Sequence, residues 1–162
     1  MSVTTISASP RLDAAVRAIT VGGVVAAALD AVFAVIAYVF VLHAFSVMGV
    51  LQYIASGMLG TAAFSGGLLT AALGVGIHFF LAFAFATLYY IASLGFSALR
   101  SNAVPIGIAY GAAIWLLMDL LVLPVTGTPK SPFNGPLFAS FLLDHAFFVG
   151  LPIALAVRRY AD

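Results

Sequence analysis

Cysteine is absent from the 162 residues. Disulfide frameworks, thiolate catalysis, cysteine-ligated zinc and iron–sulfur clusters are thereby excluded. Glutamate is absent as well, and Asp, Lys and Arg together make up 7% of the chain, against about 25% in an ordinary soluble domain. Lysine occurs once, as Lys130. No basic run exists, so nothing suggests a nucleic-acid partner, and a net charge of +1 selects no other. Catalytic motifs are missing too. There is no G-x-S-x-G elbow, no HxxxH or HExxH pair, and no glycine-rich loop followed by lysine. The chain reads as non-enzymatic.

Apolar residues fill the space left by these absences. The sequence is 64% hydrophobic, with a mean hydropathy of +1.21. An all-α integral membrane protein of one domain follows. Four runs are long enough to cross a bilayer, which takes about 20 apolar residues. They cover residues 18–42, 68–99, 103–124 and 137–157, and predict a four-transmembrane-helix bundle. Residues 46–66 are apolar but broken by Gly49, Gly57, Gly60 and Gly66. They predict a short interfacial or re-entrant helix between the first and second spans. Residues 125–136 form a polar, Pro/Gly-rich loop on the same side. The opening stretch MSVTTISASPRLDAAVR lacks the basic-then-apolar order of a signal peptide and predicts a short cytoplasmic tail.

Small residues mark the buried faces. Gly23, Ala26, Asp30, Ala34 and Ala37 recur at spacings of three and four, as do Gly67, Ala71, Gly74, His78, Ala82, Ala86, Tyr89 and Ser93. Such stripes let helices approach closely and turn Asp30 and His78 into the bundle. In the third span, Gly111, Trp115 and Asp119 share a face. With four spans, Arg11, Arg17, Arg100, Arg158 and Arg159 fall on one side and Lys130 on the other. The positive-inside rule then makes both termini cytoplasmic.

Three aspartates interrupt apolar runs, and ionisable groups at membrane depth are functional-site hypotheses by default. At ~1.5 Å per residue, Asp144 and His145 lie ~10 Å below the outer end of the fourth span and His78 ~15 Å down the second. Asp119 lies ~5–8 Å below the outer end of the third, and Asp30 is near the middle of the first. These five predict an outward-facing polar pocket that binds a small ligand, cation or proton. Asp144 and His145 are adjacent, so on a regular helix they diverge by ~100°. One is expected to face the second span and His78, the other the first or third. A second reading makes His78 and His145 the ligands of haem b or a divalent metal. A third makes the chain a purely structural subunit. Beyond the lipid bilayer, a homo-oligomer or a larger membrane complex are the expected partners.

The second half of the chain resembles the YagU-like family of small bacterial inner-membrane proteins, a domain of unknown function. The likeness is carried by His78 with the aromatic run to Tyr90, by Gly111, by LPVTGTPKSPF with Pro124, Gly127 and Pro129, and by His145 in a helix ending in Arg158-Arg159. It spans roughly residues 70–160. The resemblance implies a multi-pass protein of the bacterial inner (plasma) membrane with no established enzyme activity, and directs attention to His78 and His145.

Overall fold

A computed structural model describes residues 10–129 and 134–161, with Pro10 and Arg11 placed by backbone alone. Lys130 and the first nine residues, on which part of the orientation and tail readings rest, lie outside these. Among the described residues every regular element is helical. Helix α1 (Pro10–Val35) ends in a π-helical turn, Ile36–Val41, and α2 (Val47–Leu59) ends in a 3₁₀ turn, Gly60–Ser65. Next come α3 (Gly67–Gly95) and the single turn α4 (Ala98–Ser101). A third rod joins α5 (Ala103–Leu117), a π turn at Met118–Val122 and α6 (Leu123–Val125). A fourth joins α7 (Gly135–Asp144), a π turn at His145–Gly150 and α8 (Leu151–Tyr160).

Five stretches are long and apolar enough to cross a membrane: Leu12–Val41, Val47–Ser65, Gly67–Gly95, Ala103–Val125 and Gly135–Tyr160. That is one more than the four runs read from the sequence, because the glycine-rich 46–66 segment folds as helix over nearly its whole length. The second long helix also stops at Gly95, short of Leu99, and Arg100 belongs to α4.

Local chemistry explains these limits. Ser46 caps α2 by accepting the Gly49 N–H at 3.1 Å, and Asn134 caps α7 by accepting that of Leu137 at 3.1 Å. Gly60, at φ 59° and ψ −148°, turns the chain out of α2 through a backbone region open only to glycine. The two π turns in the third and fourth rods stand directly before Pro124 and Pro152. A proline inside a helix loses one hydrogen bond and collides with the carbonyl four residues back. Those carbonyls, of Leu120 and Phe148, lie within the π turns, whose wider winding makes room for the rings.

Side-chain contacts fix the directions. His78 bonds the Ala27 carbonyl while Gly23 packs on Phe83, so α1 and α3 run antiparallel. Gly22 meets Ile153 and Ala156 while Asp30 meets His145, which makes the fourth rod antiparallel to α1. Tyr110 donates to the Phe85 carbonyl at 2.8 Å, and Gly107 and Gly111 pack against the backbone of the fourth rod. The four long rods thus alternate up and down. Arg17, Arg100, Arg158 and Arg159 gather at one end. The turn that follows α1, the start of α3 and residues 125–128 lie at the other.

Both ends of the α2 segment sit at that second end. Tyr38 near the end of α1 faces Tyr53, Phe45 stacks on Phe64, and the Gly127 N–H donates to the Gly57 carbonyl at 3.0 Å. Gln52 fastens α2 to α3, donating to the Gly67 carbonyl at 3.1 Å and to the Thr70 hydroxyl at 3.3 Å. The tightly packed core lies toward the arginine end, around Ala18, Tyr89, Ile114, Ile153 and Val157. Toward the α2 end the bundle is hollow.

Candidate functional site

The small-residue stripe of α1 delivers Asp30 to the bundle interior, where three rods converge on it. His78 of α3 places Nδ1 3.7 Å from one carboxylate oxygen, and His145 of the fourth rod places Nδ1 3.8 Å from the other. Asp144 stands beside His145, with Oδ2 3.1 Å from the ring Nδ1. One ligand atom each from Asp30, Asp144 and His145 lies within 4.8 Å of the other two.

This arrangement corrects two expectations. Asp144 and His145 do not diverge: their polar atoms touch, so they form a dyad that can act on one ligand. Both residues keep right-handed helical backbone angles, so the contact is made by the side chains. Asp144 ends α7 and His145 opens the π turn, with the imidazole folded back onto the Phe141 carbonyl at 3.1 Å. The second correction concerns Asp119, expected in the same pocket. It lies in the π turn before Pro124, within electrostatic reach of the Tyr38 and Tyr53 hydroxyls, and lines no part of the cavity.

The proton inventory follows from hydrogen-bond types. A carbonyl oxygen only accepts. His78 therefore carries hydrogen on Nε2, which donates to Ala27 at 2.9 Å, and His145 carries it on Nδ1, which donates to Phe141. When His78 is neutral, its bare Nδ1 faces Asp30 Oδ2 across 3.7 Å, acceptor against acceptor. Asp144 is 2% exposed, and its Oδ1 has no hydrogen-bond partner among the described residues. With both acids ionised and both rings neutral, the cluster holds two negative charges and no cation. The described arginines stand at the far end of the bundle. Burying an uncompensated charge is costly, and a buried carboxylate calls for a proton, a partner or a cation. The site is built to hold positive charge.

Asp30, His78 and His145 also form part of the wall of a cavity of about 330 Å³. Tyr53, Gly57 and Met58 of α2 roof it, with Thr126 and Thr128 beside them, and the remainder is largely aliphatic. Asp144 lies behind this wall. Trp115 flanks the cluster, stacked on Phe141 with its ring centre 5.0 Å from that of His145, and its indole N–H has no partner among the described residues.

A bis-histidyl haem does not fit these residues, because His78 Nε2 is bonded to the first helix's backbone. The geometry instead groups one histidine with two aspartates. The sequence pointed to a capping helix over residues 46–66 but not to Tyr53, Gly57 and Met58 as cavity wall, nor to the part played by Gly107 and Gly150, where the third and fourth rods touch backbone to backbone. The spacing of Gly107 and Gly111 is a G-x-x-x-G motif, the available signal for that seam.

No family model, no curated protein and no solved structure matches this chain. The resemblance to the YagU-like family therefore rests on its short motifs alone. Fold and site together define a class: an all-α protein with membrane-type helices that encloses an acid–imidazole cluster beside a cavity.

Proposed function

We propose that the chain is a non-enzymatic, multi-pass protein of the bacterial inner membrane that binds a proton or a small cationic ligand in an intramembrane pocket set toward the outer side. In this reading the four long rods span the bilayer. The segment α2 with its 3₁₀ turn is a re-entrant cap, since it begins and ends at the same end of the bundle. The arginine end is cytoplasmic, in line with the positive-inside rule, and membership of the YagU-like family belongs to the same proposal. The observation that carries the functional part is the convergence of Asp30, His78, Asp144 and His145 without lysine or arginine beside them among the described residues. An ionised Asp at mid-bilayer costs about 2.5–3.5 kcal/mol on insertion scales. Two such acids within reach of one another are neutralised most simply by a shared proton or a bound cation.

Infrared difference spectroscopy over a pH titration of the purified protein tests this. A carboxylic-acid C=O band that titrates in the wild type and changes in Asp30→Asn and Asp144→Asn is the expected result. His78 and His145 face Asp30 directly, while Tyr38, Tyr53 and Asp119 lie further out, so substitutions at the outer three should alter the titration less. A spectrum that the double Asn variant leaves unchanged would overturn the reading and favour a purely structural subunit.

One observation favours a second reading. The grouping of Asp30, Asp144 and His145 suits a divalent transition metal. Thermal stabilisation by Zn²⁺ or Mn²⁺ that disappears in His145→Ala would establish it. Absence of any metal-dependent shift would remove it.

A further inference from the structure

The geometry points to a lipid-dissolved organic cation as the ligand of the 330 Å³ cavity, admitted from the side between α3 and the third rod. This rests on the positive-charge site proposed above and names its substrate class.

Three independent observations converge. The first is wall chemistry. Beyond Asp30, the two histidines and the polar groups near α2, the lining is made of residues such as Ile77, Leu81, Ile114 and Val149. A hard inorganic cation needs about six oxygen ligands to replace its water, and this wall does not supply them. An organic cation meets the apolar wall with its body and needs only one anionic anchor. Tyr53 and Phe85, both on the wall, add aromatic faces of the kind that attract cations.

The second observation is unfilled acceptor capacity. The ring nitrogens nearest Asp30 stand at 3.7 and 3.8 Å, beyond hydrogen-bond distance, and both ring N–H groups are directed to backbone carbonyls. Behind Asp30, the buried Asp144 adds a second carboxylate whose Oδ1 is unpartnered among the described residues. With both rings neutral, the two neighbouring carboxylates have no lysine or arginine beside them among the described residues, which leaves room for a positive charge from a ligand.

The third is access. Near the arginine end, α3 and the third rod are joined by Tyr110 with Phe85 and Tyr89. Toward α2 they make little direct contact, and the cavity occupies the gap. Leu81 and Met118 border it half-buried, while Met58 on the roof is 71% exposed. A side opening edged with such residues faces hydrocarbon, so it selects molecules already dissolved there. A cavity of this size suits a small organic ligand.

The test uses the full chain in nanodiscs of zwitterionic lipid, with tetraphenylphosphonium as probe and tetraphenylborate as its counterpart of similar shape and opposite charge. Trp115, the only tryptophan, reports on the cluster it flanks. Tetraphenylphosphonium should change Trp115 emission saturably, tetraphenylborate should not, and Asp30→Asn should weaken the response at least tenfold. Leu81→Phe and Met118→Phe, which narrow the portal and leave the cluster intact, should weaken it about fivefold, and they decide the matter if Asp30→Asn fails to fold. Equal responses to both ions, or unchanged tetraphenylphosphonium binding in Asp30→Asn or in both portal variants, would overturn the inference. If the titrating carboxyl band is present but tetraphenylphosphonium does not bind, the ligand class alone is wrong. If the band is missing too, the underlying site falls with it.

Discussion

Gly111 offers the sharpest test of the packing that holds the site together. A methyl group there would come within 2.6 Å of the His145 carbonyl carbon and 2.8 Å of the Ala146 Cα. Ordinary contact begins near 3.4 Å, so the third and fourth rods would have to separate by roughly 1 Å. The obstacle is backbone, which cannot rotate aside as a side chain can. Overpacking of a well-filled interior costs about 1–3 kcal/mol, and Gly111→Ala belongs at the upper end of that range. Gly76 is the internal control: it lies within α3, and a methyl there meets nothing within 4 Å. Gly76→Ala should instead be neutral or stabilising by about 0.5–1 kcal/mol, the usual gain from removing a helical glycine. Thermal unfolding followed by circular dichroism in one detergent compares the two. Equal melting curves would refute the reasoning. Because the displaced carbonyl belongs to His145, Gly111→Ala should also perturb the infrared signature of the Asp30–Asp144 pair, which Gly76→Ala should leave alone.

Asp144 Oδ2 accepts from His145 Nδ1, a contact an amide oxygen keeps, so Asp144→Asn should relieve repulsion with Asp30 and raise stability by about 0.5–2 kcal/mol while abolishing charge uptake; a loss of stability would show that the two carboxyls already share a proton or cation. Tyr89, 1% exposed, donates to the Leu99 carbonyl at 2.8 Å, so Tyr89→Phe should destabilise by about 1–3 kcal/mol because the acceptor is left unpaired, read from the shift in melting midpoint. Gln52→Leu removes the side-chain bonds that tie α2 to α3 and should accelerate hydrogen exchange in α2 with little change in α8, a contrast that mass spectrometry resolves. The absence of cysteine permits single-cysteine mapping: Ala62→Cys and Ala161→Cys should react with a membrane-impermeant maleimide from opposite sides, and labelling from one side would refute the four-span topology.

The helical, membrane-type character of the chain was legible because hydropathy and small-residue spacing are properties of sequence alone. The α3 stripe illustrates this: Ala71, Gly74, Ala82, Ala86, Tyr89 and Ser93 are buried at the positions their spacing marks, with His78 half-buried among them, while Gly67 at the start of the stripe is exposed. Residues 46–66 were harder to read. Their glycines signal interruption, yet Gly49 is buried inside α2 and Gly60 alone turns the chain. The meeting of Asp30 with His78 and His145 depends on contacts between residues 48 and 115 apart in sequence, which periodicity does not encode beyond the shared inward face. The Asp144–His145 contact was hidden for a more specific reason. Regular winding gives the two Cβ atoms different directions, and the contact depends on the imidazole folding back onto the Phe141 carbonyl beside Asp144, which spacing does not reveal.

The uneven filling of the bundle has a mechanical consequence. Helix α3 and the third rod are locked directly at the Tyr89–Tyr110 pivot, and at the far end only through α2, which Gln52 ties to α3 and Gly57 to Gly127, so a shift of α2 is what would let the rods part. From Tyr110 to Val125 the third rod extends ~22 Å at ~1.5 Å per residue, so a tilt of about 5° displaces its far tip by ~2 Å. Such leverage would open or shut the gap beside Met118 while leaving the pivot nearly still.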